Sequence, residues 1–300
     1  MKLRTNTLGW IVLCLGLATF GCDDGSALVR RRMIEKGGTG GAGPGPTTDG
    51  GALRSGPFRM LVLSTVLEYI HPSIPAGQQM LRDLGATADA DLPRGAQPGS
   101  QFTVDIAADD LSDFTTENLK NYEIIFWMNP TGTVFTSGGT SGDAAAGAAA
   151  KKAVEAFMSN GGTWAGVHSA TDFEKTAQWT WFQDLVGGYF DRHDDDGTLG
   201  AVAMQPTAVM QDHPVVRGLP ATWNVTDEWY YMNRDPQSLP GYQVVAKLAA
   251  DQRPVSWIHE LAGGGRVFYT IRGHNSAVYY EPDFRRHVHE GILWAVHRMR

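Results

Sequence analysis

Three stretches are apolar without alternation: Phe58–Val66, Tyr122–Met128 and Trp164–Val167. A strand buried on both faces reads this way, as in a parallel sheet covered by helices. Gln101–Ile106 adds a strand. Between these runs the spacing changes to that of helices. One is expected at Ala76–Leu84, opened by Pro75 at a first-turn position, with a capped turn at Asp113–Glu117. The alanine-rich Asp143–Met158 sets Val154, Phe157 and Met158 on one face and ends at Asn160-Gly161-Gly162. A short helix follows at Trp179–Val186, and the Gly/Ser/Thr tract Thr131–Gly142 reads as a mobile loop. Strand-helix alternation of this kind predicts an α/β fold of three layers, a mostly parallel central sheet with helices on both faces.

From Thr198 the strands come without long helices: Leu199–Met204, Trp223–Thr226, Tyr242–Leu248, Val255–Glu260 and Arg266–Ile271. The last two, around Ala262-Gly263-Gly264-Gly265, predict a C-terminal antiparallel hairpin. A closing helix from Pro282 to about Met299 carries Phe284, Val288, Ile292, Val296 and Met299 on one face.

The N-terminus has a different pattern. Lys2 and Arg4 precede an apolar run, Leu8–Ala18, and then Phe20-Gly21-Cys22, which is the order of a secretory signal. The sequence predicts a lipoprotein-like signal peptide over 1–22 with Cys22 as the lipidated residue, a flexible Gly/Pro-rich linker over 23–56, and a folded domain over 57–300. The expected address is the bacterial cell envelope, through a lipid anchor, or the exterior. The two cysteines are Cys14 and Cys22, so the processed domain has neither disulfide nor catalytic thiol. With 300 residues, 42% hydrophobic, 19% charged and a net charge of -7, the chain can bury a sizeable core. It lacks the basic patch that nucleic acid demands. A small neutral ligand fits better. The oligomeric state is not legible.

The candidate chemistry is organised around Gly161–Asp172. A buried strand ends abruptly in His168-Ser169-Ala170 among small residues, as a strand-to-turn elbow does when it pushes one side chain into the open at the sheet's carboxyl edge. The same segment also reads as a histidine that merely caps a strand.

Several further segments stand in a characteristic order: His71-Pro72-Ser73-Ile74-Pro75, Gly166-Val167-His168-Ser169-Ala170-Thr171-Asp172, Leu185-Val186-Gly187-Gly188-Tyr189-Phe190 with His193, His213-Pro214, Thr226-Asp227-Glu228-Trp229-Tyr230, Trp257-Ile258-His259-Glu260 and Gly273-His274-Asn275. With these the chain, from about Phe58 to the C-terminus, resembles the ThuA-like (trehalose utilisation) family, a branch of the flavodoxin-like class I glutamine amidotransferase-like fold. The resemblance implies that His168 occupies the elbow that holds a nucleophilic cysteine in amidotransferases, and that His274 stands at the place of their partner histidine. Without a thiol, glutamine amidotransfer is excluded.

The resemblance also implies chemistry on a glycoside or keto-sugar, by a hydrolase or lyase. The expected catalytic set is His168, Asp172, Glu228 and His274, with His71, Trp181, Asp227, Trp229 and His259 binding substrate and His193 as a metal-ligand candidate. Imidazoles and carboxylates in one cleft serve either acid-base catalysis or a divalent, zinc-type ion, and both readings stand at this point. No His-x-x-x-His or tight ligand pair occurs among the elbow, loop and hairpin positions, so a metal site would be assembled in three dimensions. A non-catalytic carbohydrate-binding lipoprotein using the same cleft is the alternative. Asp194-Asp195-Asp196 reads as a solvated loop, since it lacks the spacing of a calcium loop.

Overall fold

The computed structural model describes residues 53–177, 179–194 and 200–300. The signal, Cys22, the linker up to residue 52, and Asp195-Asp196 lie outside the described residues. The strands are β1 (Phe58–Leu63), β2 (Phe102–Ile106), β3 (Ile124–Met128), β4 (Thr163–Val167), β5 (Phe190–His193), β6 (Gly200–Pro206), β7 (Trp223–Asp227), β8 (Tyr230–Met232), β9 (Tyr242–Leu248), β10 (Pro254–Glu260) and β11 (Arg266–Thr270). The helices are α1 (Ile74–Gly85), α2 (Thr116–Leu119), α3 (Val134–Ser137), α4 (Ala144–Ser159), α5 (Thr180–Val186) and α6 (Pro282–Ala295).

Nine strands form one sheet in the order β2-β1-β3-β4-β11-β10-β9-β6-β7. The first five pair in parallel, and β10, β9, β6 and β7 continue the sheet by antiparallel pairing. The expected α/β class and C-terminal hairpin are therefore present. Side chains alternate between faces along a strand, and β3 shows both destinations. Ile125 and Trp127 enter one core with α4 and α5 residues, while Ile124, Phe126 and Met128 enter the other with α1 and α6 residues. The unbroken apolar runs thus record burial on two sides.

Helix α4 starts where Asp143 Oδ1 accepts the amides of Ala145 (2.9 Å) and Ala146 (3.1 Å), as an N-cap should. Its Gly147 permits close approach: a Cβ there would lie 1.7 Å from the Phe135 carbonyl oxygen. Phe135 belongs to the segment expected to be a mobile loop, and that expectation is corrected. The tract folds into α3 and a short 3-10 turn at Gly139–Ser141. Its anchor is the Phe135 ring, packed against Phe114, Trp127, Phe173 and Trp179 with centroids 5.1 to 6.2 Å away. Glycine and serine composition registered the polar turns and concealed this plug.

Two further differences concern length and pairing. Residues around Phe190 and Tyr230, without a strand assignment from sequence, pair as the separate β5-β8 sheet. The last helix ends at Ala295, although Val296 and Met299 remain in the core. No helix among the described residues is long and apolar enough to cross a membrane.

The C-terminal end is fastened back to the start of β3. The buried guanidinium of Arg298 donates to both Glu123 carboxylate oxygens at 2.9 Å and to the carbonyl oxygens of Gly56 (3.0 Å) and Val296 (3.0 Å). Arg54 donates its amide to the His297 carbonyl at 2.8 Å, so residues placed in the linker by composition already belong to the folded unit. Removing one partner of such a pair leaves the other poorly solvated. Arg298→Ala is expected to lower unfolding free energy by about 3 kcal/mol, measured by urea denaturation at neutral pH. A loss below about 1 kcal/mol would reduce the clamp to an ordinary surface pair.

Candidate functional site

The carboxyl edge of the parallel strands is where open α/β sheets gather ligands. His71 follows β1, His168 follows β4 and His274 follows β11. Strand β7 runs parallel to β11 because it lies four antiparallel steps away, through β10, β9 and β6. Glu228 therefore emerges at the same edge.

His168 makes the turn itself, with φ of 47°, a left-handed conformation that costs a non-glycine residue free energy. Two bonds secure it. Tyr269 Oη donates to the His168 carbonyl at 2.6 Å, and His168 Nδ1 lies 2.9 Å from the Ile271 carbonyl oxygen. That carbonyl can only accept, so Nδ1 carries the hydrogen and Nε2 faces the site. Tyr230 Oη lies 2.9 Å from Nε2.

Asp227 builds the opposite wall. Its fully buried carboxylate accepts the amides of Gly273 (2.9 Å), His274 (3.1 Å) and Glu228 (3.0 Å), fixing the residues that supply the imidazole and the carboxylate. Gly273, at φ of 130°, passes so close that a Cβ would sit 2.6 Å from Tyr279 Oη and 3.4 Å from His168 Cβ.

The result is a triangle of acceptor atoms. His168 Nε2 lies 3.2 Å from His274 Nδ1, and Glu228 Oε2 lies 3.3 Å from each of these nitrogens. His71 completes the group, its ring edge-on to His168 (4.8 Å) and His274 (5.3 Å), with Nδ1 3.4 Å from Ser169 Oγ. The three imidazoles offer ligand nitrogens that all lie within 4.8 Å of one another. Lone pairs this close repel unless a proton or a cation stands between them. Zinc bonds of about 2.0–2.1 Å at tetrahedral angles place ligand atoms roughly 3.3–3.4 Å apart, which matches the edges observed.

Electrostatics separates the members. Burial, with the neighbouring His168 and His274, pushes His71 down to about 3, so it is neutral at pH 7. The hydrogen bond to Glu228 outweighs burial at His274 and holds its imidazole above the ordinary value. Burial opposes charge on Glu228, yet a proton carried toward it by the facing His168 or His274 imidazole holds the carboxyl well below the usual carboxylate range. The acid-base and metal readings thus share one centre, where the proton on His274 competes with a cation.

The remaining expected residues separate by place. His193 reaches the periphery, Nε2 3.9 Å from Glu228 Oε1. Asp172, at the end of the 3-10 turn His168–Thr171, pairs with Lys175 at 2.5 Å, and burial pushes its carboxyl up. Asp227 is enclosed and spends its oxygens on backbone amides. Trp229 is buried in the core. His259 lies late on β10, which runs opposite to β11, and so stands at the amino edge with its ring stacked on Tyr242. Trp181 lies on α5 and lines a separate cavity of about 340 Å³ with Ser159 and Gly263, also at the amino edge. The elbow differs from expectation too: His168 is fully enclosed, with solvent reaching the cluster at His274, whose side chain is 20% exposed.

Of the two tyrosines that bond the elbow histidine, Tyr269 was legible only as an apolar strand residue and Tyr230 only as a member of the segment Thr226–Tyr230. Tyr69, edge-on to His71 at 4.8 Å, gave no signal beyond sharing its loop.

The family model described as ThuA, trehalose utilisation, matches residues 59–295. Among solved structures, a ThuA-like protein of Bacteroides uniformis ATCC 8492 aligns at 19% identity and a TM-score of 0.60, covering 82% of this chain and 94% of that one. A ThuA-like protein of Parabacteroides merdae ATCC 43184 aligns at 17% identity and a TM-score of 0.57, covering 80% and 90%. No curated protein matches the chain.

The Glu228–His274 pairing has a direct readout. In chelator-treated protein followed by NMR, His274 is expected to titrate above the ordinary histidine value, and in Glu228→Gln lower than in the parent protein, because burial is then opposed only by the Asp227 charge. The sign for stability follows from linkage: with its folded value raised, His274 stabilises fully at pH below the unfolded value, and the contribution is lost as pH rises through the folded one. Equal titration in both proteins would remove the pairing.

Proposed function

The chain belongs to the ThuA family, and on that premise we propose that it is an enzyme acting on a glycoside or keto-sugar at a divalent, zinc-type centre held by His168, His274, Glu228 and His71. Family membership supports carbohydrate utilisation as the broad role. The observation that carries the centre is the 3.2–3.3 Å triangle of acceptor atoms, whose edges match tetrahedral coordination.

When bound, such an ion supplies Lewis acidity toward a sugar carbonyl or hydroxyl oxygen. The chain's own residues do the rest. The Ile271 carbonyl orients His168, as an outer partner orients a ligating imidazole, and Asp227 fixes the His274 and Glu228 backbones. Asp172, its carboxyl pushed up by burial and paired with Lys175, is the candidate proton carrier. A binding-only role would rest on Trp181 and Trp229; Trp181 borders the cavity at the opposite, amino edge of the sheet, and Trp229 is buried rather than open to a ligand in solvent.

Protein purified without chelator is expected to hold about one divalent ion per chain by elemental analysis. Glu228→Gln and His168→Ala should each weaken that binding at least tenfold, the scale on which even outer-sphere changes act. Affinity should fall as pH drops, since His274 must release its proton to bind. Absence of any stoichiometric ion, with turnover of keto-glycosides surviving EDTA, would overturn the metal centre and leave acid-base chemistry by His168 and Asp172.

The exported, lipid-anchored placement is part of the same proposal, supported by Lys2, Arg4, the apolar run Leu8–Ala18 and the Gly21-Cys22 junction. Cys22→Ser is expected to move the protein from the membrane to the soluble envelope fraction. An unchanged membrane fraction would remove the anchor.

A further inference from the structure

Large apolar side chains are rarely left in water side by side, and a contiguous exposed group marks a contact surface. Five stand exposed among the described residues, and three of them fall within four positions: Leu67 at 38%, Tyr69 at 57% and Ile70 at 70%. The segment joins β1 to His71, so it borders the candidate centre. It is held in place, since Leu67 donates its amide to the Thr131 carbonyl at 3.1 Å and Thr131 Oγ1 donates to the Tyr69 carbonyl at 2.9 Å.

The Tyr69 ring touches two members of the cluster. It meets His71 edge-on at 4.8 Å and lies nearly parallel to His274, 20° between planes and 6.3 Å between centroids. His274 is the cluster residue that solvent reaches. A molecule whose polar part enters beside His274 therefore passes Tyr69, and the part left outside meets Leu67 and Ile70.

We infer that this rim binds the apolar aglycone of an aryl glycoside whose sugar is seated at the His/Glu centre. The inference rests on the sugar-directed reading above and names the substrate class that reading leaves open. A flat aromatic aglycone stacks on an exposed tyrosine at little entropic cost, because the platform is already ordered. The aliphatic neighbours cover its edges. A sugar with a small alkyl aglycone would fill the polar centre and leave the rim wet.

The test compares para-nitrophenyl and methyl glycosides of the same keto-sugar. Tyr69→Ala is expected to raise KM for the aryl substrate about tenfold, the order of one aromatic contact, while KM for the methyl substrate changes less than about twofold. Tyr69→Phe should restore the aryl value, since the ring and not the hydroxyl carries the stacking, and the unchanged methyl substrate excludes a merely misfolded loop. Equal change for both substrates, or none, overturns the inference. Should neither be turned over, the catalytic reading fails and calorimetric binding of the aryl glycoside decides this one: a Tyr69-dependent isotherm sustains it, and a Tyr69-independent or absent one overturns it. Ile70→Ser converting a dimer to a monomer with aryl affinity unchanged would overturn it too, assigning the rim to a second copy of the chain.

Discussion

Three acceptor atoms, His168 Nε2, His274 Nδ1 and Glu228 Oε2, are pressed to within 3.2–3.3 Å of one another in a largely enclosed place. Such atoms do not gather unaided, because each would keep its own water. The surrounding structure holds them from outside. Ile271 fixes one imidazole by its carbonyl, and Asp227 fixes the backbone of the other imidazole and of the carboxylate with a single side chain. Whatever fills the triangle, proton or cation, releases repulsion that packing has imposed.

That imposition needs a rigid frame, which the sheet supplies. Its strands are buried on both faces, so β4 and β11 cannot slide without disturbing two cores at once. The elbow conformation of His168 costs free energy locally and persists because Tyr269, a strand residue in that core, bonds its carbonyl. Gly273 serves the same end by absence, leaving room for Tyr279 and the His168 side chain.

The centre is also graded from inside to outside. His71 is kept neutral by burial, His274 is drawn toward its charged form by Glu228, and Tyr69 stands beside them as an exposed residue. From solvent inward the side chains thus run from exposed Tyr69 through part-exposed His274 to the enclosed His71 and His168.

The sequence by itself determined the layer plan, the parallel pairing implied by unbroken apolar runs, and the hairpin. These are local properties, written in spacing and in the residues that interrupt it. Local pattern also marked His168, at the abrupt end of a buried strand, whereas His71, Glu228 and His274 were marked through segments that resemble the ThuA-like family. Which marked residues meet was decided by tertiary structure. Asp227 looked like a ligand-binding acid and is a buried clamp; Trp181 and His259 sat in equally suggestive segments and stand at the other edge of the sheet. Their separation follows from strand direction and order, with β10 reversed against β11 and β7 brought back to the same edge, and no local pattern carries that sign. Phe135 makes the same point within the core, since a glycine-rich tract reveals its polar turns but not the one ring that long-range packing captures.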